Sequence, residues 1–230
     1  MVSRVLSLAA AILSSVLMAL PQPSLARAPG IPAGAFVALS YHEVPGDGPR
    51  EAAPGAGRYG VEASYLIAQF AWLRENGYRP VSLAEIAEAR AGGKPLPPRA
   101  VLLSFDDGYA DFYERVYPVL QLFSYPAVIA LVGKWMDVPA GGQVDYDGKP
   151  MPREAFLSWG QVREMVGSGL VEVASHSYDL HRGVLGNPQG NMQPAATTRI
   201  HDAATGRYET DEAWLARVRD DLDRNSRLIE

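Results

Sequence analysis

The sequence predicts an α/β fold on a parallel sheet, either open or closed into a (β/α) barrel. Apolar runs of strand length alternate with stretches of helical periodicity in the order β-α-α-β-α-β-α-β-α, the pattern of parallel crossovers. The helical stretches carry recognisable caps and stops. Three apolar runs end in residues that carry chemistry: His42, the pair Asp106-Asp107, and His176. In parallel α/β folds such groups gather where the strands end.

The first residues read as a targeting segment. Arg4 supplies a positive start, Val5 to Leu20 is apolar, Pro21 and Pro23 end the run, and Ser24-Leu25-Ala26 offers small residues for cleavage. Residues 1–26 are therefore expected to be a signal peptide and 27–35 a linker, with the domain spanning 36–230. Phe36 to Tyr41 reads as the first buried strand and ends at His42-Glu43. Pro45 to Gly60 is a Gly/Pro/Ala-rich loop. Val61 to Asn76 places Leu66, Phe70 and Leu73 at helical spacing and stops at Gly77. Ser82 caps a second helix reaching about Ala91, with Glu85 at the capping-box position.

Val101 to Phe105 is a short apolar run suited to a strand buried on both faces. It ends in Asp106, Asp107 and Gly108. Adjacent carboxylates at the end of a buried strand are costly unless something holds them. A helix cap is one reading, because Tyr109 to Phe123 looks helical. A divalent metal is the other, with one carboxylate as ligand and the other free to take a proton. Pro126 to Val132 is the next strand. Gly133 to Pro152 is loop with a small hairpin near Val144–Tyr146, and Ser158 caps a helix to about Ser168. Leu170 to Ser175 is a strand running into His176. Arg182 to Thr210 reads as a long polar loop in which His201 is solvated. Asp211 to Glu230 is an amphipathic helix whose apolar positions are Trp214, Leu215, Val218, Leu222 and Leu228.

The chain has 230 residues, a net charge of −5 and no cysteine. No basic block is present, which argues against nucleic acid as partner. Without cysteine there are no disulfides, no thiolate metal ligands and no lipid-anchor residue. Any metal must be held by His, Asp, Glu or water. His176 and His181 are five apart, which turns them about 140° from each other on a helix and onto opposite faces of a strand. Both serve one ion only if His176 sits at the strand end and His181 on the turn beyond. Tyr178 and Asp179 then shape that turn. Two imidazoles and a carboxylate make a three-ligand set with open positions, suited to zinc, cobalt, nickel or iron.

Ser-Phe-Asp-Asp-Gly at 104–108 followed by His-Ser-x3-His at 176–181 resembles the polysaccharide deacetylase family, the carbohydrate esterases with a NodB homology domain. The resemblance implies a distorted (β/α) barrel and metal-dependent removal of N-acetyl groups from amino-sugar polymers. It implies Asp106 as catalytic base and Asp107, His176 and His181 as ligands of a divalent metal, with zinc expected. Most members space the two histidines four apart. Spacing of five, with Ser40-Tyr-His-Glu43, is similar to the branch of poly-β-1,6-N-acetyl-D-glucosamine N-deacetylases of biofilm export. In that branch the barrel is circularly permuted, and His42 matches the general acid. The branch implies a periplasmic protein, an exported amino-sugar polysaccharide as substrate, an outer-membrane export porin as partner, and no membrane span once the leader is cleaved. The family's later Pro-Tyr motif and final strands have no counterpart, so the domain at 36–230 is expected to be incomplete at its C-terminus and to lack a glycosidase-like second domain. The competing expectations are a deacetylase of chitin oligomers or peptidoglycan, a hydrolase of another small amide, and an inactive carbohydrate-binding module.

Overall fold

The four main strands expected from the sequence do pair into one parallel sheet. In the computed structural model the described residues are 32, 34–47, 60–146 and 148–230; the leader, much of the linker and residues 48–59 lie outside them. The order is β1 (Phe36–Tyr41), α1 (Ala63–Glu75), β2 (Arg79–Pro80), α2 (Leu83–Arg90) and β3 (Ala100–Phe105). A wide π turn (Phe112–Val116) then runs into α3 (Tyr117–Phe123), followed by β4 (Ala127–Leu131) and the short α4 (Gly133–Met136). A hairpin of β5 (Gln143–Tyr146) and β6 (Lys149–Pro152) precedes α5 (Trp159–Gly167) and β7 (Val171–Ser175). Two small hairpins follow, β8 (Gly183–Leu185) with β9 (Met192–Pro194) and β10 (His201–Asp202) with β11 (Arg207–Tyr208); α6 (Asp211–Ile229) is last.

The sheet runs β1-β3-β4-β7, all parallel. The two-residue β2 pairs with Ala100 and Val101, while β4 pairs with Ser104 and Phe105. Strand β3 therefore faces two neighbours on one side, one at each end. Its residues alternate: Val101, Leu103 and Phe105 enter the main core with Leu66, Phe70, Leu120 and Met165 of the flanking helices. Ala100 and Leu102 pack instead with Val81, Ile86 and Leu96. Each fully buried Leu or Phe here contributes roughly 1.5–3 kcal/mol. Leu102 and Ser104 are only half-buried, so β3 is not sealed on both faces as expected. Strand β1 also departs from expectation. Among the described residues it is the sheet edge, and Val37 and Ala38 are exposed.

Local signals hold where they were strongest. Leu66, Phe70 and Leu73 are the buried stripe of α1. Ser82 with Glu85 and Ser158 with Gln161 form capping boxes at α2 and α5. Glu172 of β7 adds a long-range cap, accepting the Leu83 and Ala84 N–H groups at 2.5 and 3.0 Å. Two readings fail. The stretch 182–210 is two hairpins rather than a loop, tied to α6 by Arg217, which donates to Glu209 and to the Ala195 and Thr198 carbonyls. Within it His201 is buried against the Tyr208 ring, not solvated. The apolar stripe expected for α6 is also mixed. Leu215 and Leu222 are exposed, and the residue wholly buried is Asn225. Among the described residues no helix is long and apolar enough to cross a membrane.

Candidate metal centre and active site

The register of the sheet builds the site. β1 and β3 pair residue for residue from Phe36↔Ala100 to Tyr41↔Phe105, so His42 and Asp106 leave the sheet side by side. The Asp106 N–H closes the pairing on the Tyr41 carbonyl at 2.9 Å. On the other side Leu131 pairs with Ser175, and the His176 N–H donates to the Leu131 carbonyl at 3.0 Å. The three strand ends marked by the sequence thus form one edge of the sheet.

Asp106 is fixed from below. Ser40 Oγ donates to Oδ2 at 2.9 Å and Ser104 Oγ to Oδ1 at 3.2 Å. His42 Nε2 lies 4.0 Å from Oδ2, close enough for a proton to pass through one intervening water or substrate atom. Asp106 remains partly open to solvent.

Asp107 turns the opposite way because its backbone is left-handed, with φ of 77°. Asp tolerates that region better than most residues, and such outliers persist where the surroundings hold them. The side chain is fully buried, and neither carboxylate oxygen has a hydrogen bond. Oδ1 instead faces two imidazoles: His176 Nε2 at 3.5 Å and His181 Nε2 at 3.3 Å. One ligand atom from each of these three residues falls within 4.8 Å of the others. Burial pushes the His176 imidazole below its usual range, against the pull of Asp107 and Asp106. A neutral imidazole offers a lone pair rather than a proton. An orphaned buried carboxylate between two nitrogen donors is what a divalent cation would satisfy, so the residues fit a metal.

His176 and His181 sit where their spacing required, one at the end of β7 and the other on the turn before β8. Beyond them is a wall that sequence reasoning missed. The Trp135 ring meets His181 edge-on at 5.1 Å, and the Tyr146 ring lies 6.2 Å from it. Trp135 and Tyr146 belong to a second apolar cluster with Tyr109 and Phe156, closed by the β5–β6 hairpin. A cavity of about 430 Å³ opens beside His181, lined by Tyr146, Arg182, Met192 and Gln193 among others. The two serines on Asp106 were also missed, as was Asp111. Asp111 Oδ2 accepts the Val44 N–H at 2.6 Å and so pins the segment carrying His42. Burial raises the Asp111 carboxyl to about 6, offset in part by that N–H.

Residues 93–229 match the family model described as polysaccharide deacetylase. The chain belongs to the polysaccharide deacetylase family. A poly-β-1,6-N-acetyl-D-glucosamine N-deacetylase of Escherichia coli (strain K12) is 47% identical over 188 residues, covering 82% of this chain and 27% of that protein. A namesake from Staphylococcus aureus is 28% identical over 144 residues, 63% of this chain and 46% of its own. The chain therefore spans about a quarter to a half of the length of the curated relatives it matches. Among solved structures, a de-N-acetylase from Aggregatibacter actinomycetemcomitans superposes with a TM-score of 0.78 at 41% identity, covering 84% of this chain and 73% of that one. The BpsB deacetylase domain from Bordetella bronchiseptica gives 0.72 at 46% identity, over 84% and 74%. This polysaccharide deacetylase chain thus shares their mixed α/β fold with a parallel central sheet; among its described residues the sheet is open.

Proposed function

We propose that this chain carries the metal centre and catalytic pair of a hydrolase that removes N-acetyl groups from an exported amino-sugar polymer, poly-β-1,6-N-acetyl-D-glucosamine in the first place. The observation that carries the reading is Asp107, a buried carboxylate with no hydrogen bond, facing His176 and His181 Nε2. Family membership and the names of the similar proteins support it.

In this reading Asp107, His176 and His181 hold a divalent ion, zinc first. The chemistry such an ion supplies is Lewis acidity towards a carbonyl oxygen and towards water. Asp106, oriented by Ser40 and Ser104, takes the proton of the attacking water. His42 gives a proton to the leaving nitrogen. The amide C–N bond breaks, a C–O bond forms, and acetate and a free amine result. Placement supports this division of labour. Asp107 is sealed from solvent and meets the two imidazoles, whereas Asp106 is held by hydroxyls and faces His42.

The leader-like residues 1–26 support delivery to the periplasm, where an outer-membrane export porin would receive the product. The deciding experiment is acetate release from β-1,6-linked N-acetylglucosamine oligomers and from chitin oligomers, with and without chelator, on the full-length protein. Chelator-sensitive release from the β-1,6 oligomers is expected. Preference for chitin would move the substrate, and binding of either oligomer without release would sink the enzymatic reading in favour of a sugar-binding module.

A further inference from the structure

The turn between the two histidines carries a backbone cost and is held from two sides. Ser177 has a left-handed backbone, with φ of 70°, at a residue with no special tolerance for it. The turn's carbonyls and N–H groups point in opposite directions. The Ser177 and Tyr178 carbonyls accept from the Gly133 and Lys134 N–H groups of α4 at 3.1 and 2.9 Å. The Tyr178 and Asp179 N–H groups both go to one side chain of α6: Asp221 Oδ1 and Oδ2 accept them at 2.7 Å each. One carboxylate thus takes two successive backbone donors. Charge-assisted bonds of this length are stronger than neutral ones.

One turn further along α6, Asn225 secures the strand ends that lead into the turn. Its Nδ2 donates to the Leu131 carbonyl at 3.0 Å and to Ser175 Oγ at 2.7 Å. Ser175 directly precedes His176. Arg224 lies 3.5 Å over the Tyr178 ring, and the Tyr178 hydroxyl donates to Asp137 at 2.8 Å. Spacing explains the arrangement. Arg217, Asp221 and Asn225 follow one another at four-residue steps, so α6 turns a polar stripe inward. Arg217 and Asp221 satisfy backbone groups outside the regular elements, and Asn225 adds a second donor to the Leu131 carbonyl that already accepts the His176 N–H.

We infer that Asp221, supported by Asn225, is the positioning residue of the metal centre: it locks the turn that brings His176 and His181 onto Asp107. The inference rests on the metal reading above and adds a residue that touches neither ion nor substrate. Groups of this kind orient metal ligands, and their loss typically weakens metal binding about 10–100-fold. In the Asp221→Asn variant the side chain keeps its size but turns an NH2 towards one of the two N–H groups. The Asp221→Ala variant loses both acceptors.

The test is zinc affinity of the full chain, by competition with a chromophoric chelator, alongside thermal unfolding of the zinc-free protein. Affinity should fall about tenfold in Asp221→Asn and up to a hundredfold in Asp221→Ala, and stay unchanged in Asp223→Asn on the exposed side of the same helix. A merely structural role would lower the melting temperature and leave the affinity of folded chains where it was; that result would overturn the inference. Should Asp221→Ala fail to fold, amide hydrogen exchange in the zinc-free wild type decides. Tyr178 and Asp179 amides should be protected, and exchange at unstructured-peptide rates would overturn the inference. A wild-type chain that takes neither zinc nor cobalt overturns the metal reading and this inference with it, whereas equal affinity in wild type and Asp221→Ala overturns this inference alone.

Discussion

His42 and Asp106 stand opposite each other, one residue beyond the paired ends of β1 and β3, with 4.0 Å between Nε2 and Oδ2. Their separation is set by the spacing of two hydrogen-bonded strands rather than by loop packing. A site anchored this way keeps its geometry as long as the sheet does. It also gives the two adjacent aspartates different surroundings, since Asp107 leaves the strand on a left-handed backbone.

From that separation of roles, Asp106→Asn is expected to bind zinc like the wild type and to lose acetate release by about 10²–10⁴-fold. His176→Ala is expected to lose zinc. Measuring zinc content and acetate release on the same preparations checks both. Equal loss of zinc in the two variants would mean that Asp106 is a ligand.

The serines under Asp106 give a second expectation. Each hydroxyl fixes one carboxylate oxygen, so Ser104→Ala and Ser40→Ala should each lower kcat about tenfold with KM little changed. A variant that raises KM with kcat intact would place the serine in substrate binding instead.

Those serines also mark what the sequence could yield. The strand ends read Leu-Ser-Tyr-His at 39–42 and Leu-Ser-Phe-Asp at 103–106, and parallel pairing in register aligns them residue for residue. Apolar runs and capping boxes are local signals, and they placed the strands, α2 and α5 well. Asp107, His176 and His181 were legible as candidates because a carboxylate or imidazole stands out at the end of an apolar run. What stayed hidden depends on partners far along the chain. Nothing near Val37 says that β1 lies at an edge. Nothing near His201 announces a buried ring. Asp221 and Asn225 look like the solvated side of a helix until their partners more than 40 residues away are known.

Asp111 carries a pH dependence. Its carboxyl sits at about 6 in the fold against an ordinary 3.8, chiefly through burial. A raised carboxyl pKa means that the native state keeps a proton the unfolded chain has already released. That contribution is whole below about pH 4 and is lost as pH rises through about 6. The stability of the wild type relative to Asp111→Asn should therefore drop by about 2 kcal/mol between pH 4 and pH 7.5, less than the full shift implies because the group is partly solvated. Urea unfolding of both proteins across that range measures it. Parallel stability curves would mean that the carboxyl is already ionised at the lower pH.

Asp107 sets function against stability. Without a cation, its buried carboxylate has no hydrogen bond and a left-handed backbone. Both are costs to the fold, and the proposed metal would offset them. Asn tolerates the same backbone region and removes the buried charge. Asp107→Asn should therefore be at least as stable as the wild type when both are stripped of metal. With zinc the order should reverse. A ligand at a hundred times its dissociation constant adds about 2.7 kcal/mol to a protein that binds it only when folded, and Asp107→Asn should gain little of this. Thermal unfolding of the two proteins with chelator and with zinc separates the terms. If Asp107→Asn were the less stable of the two in chelator, the carboxylate would be holding the imidazoles by its own charge, and the site would be preassembled without metal.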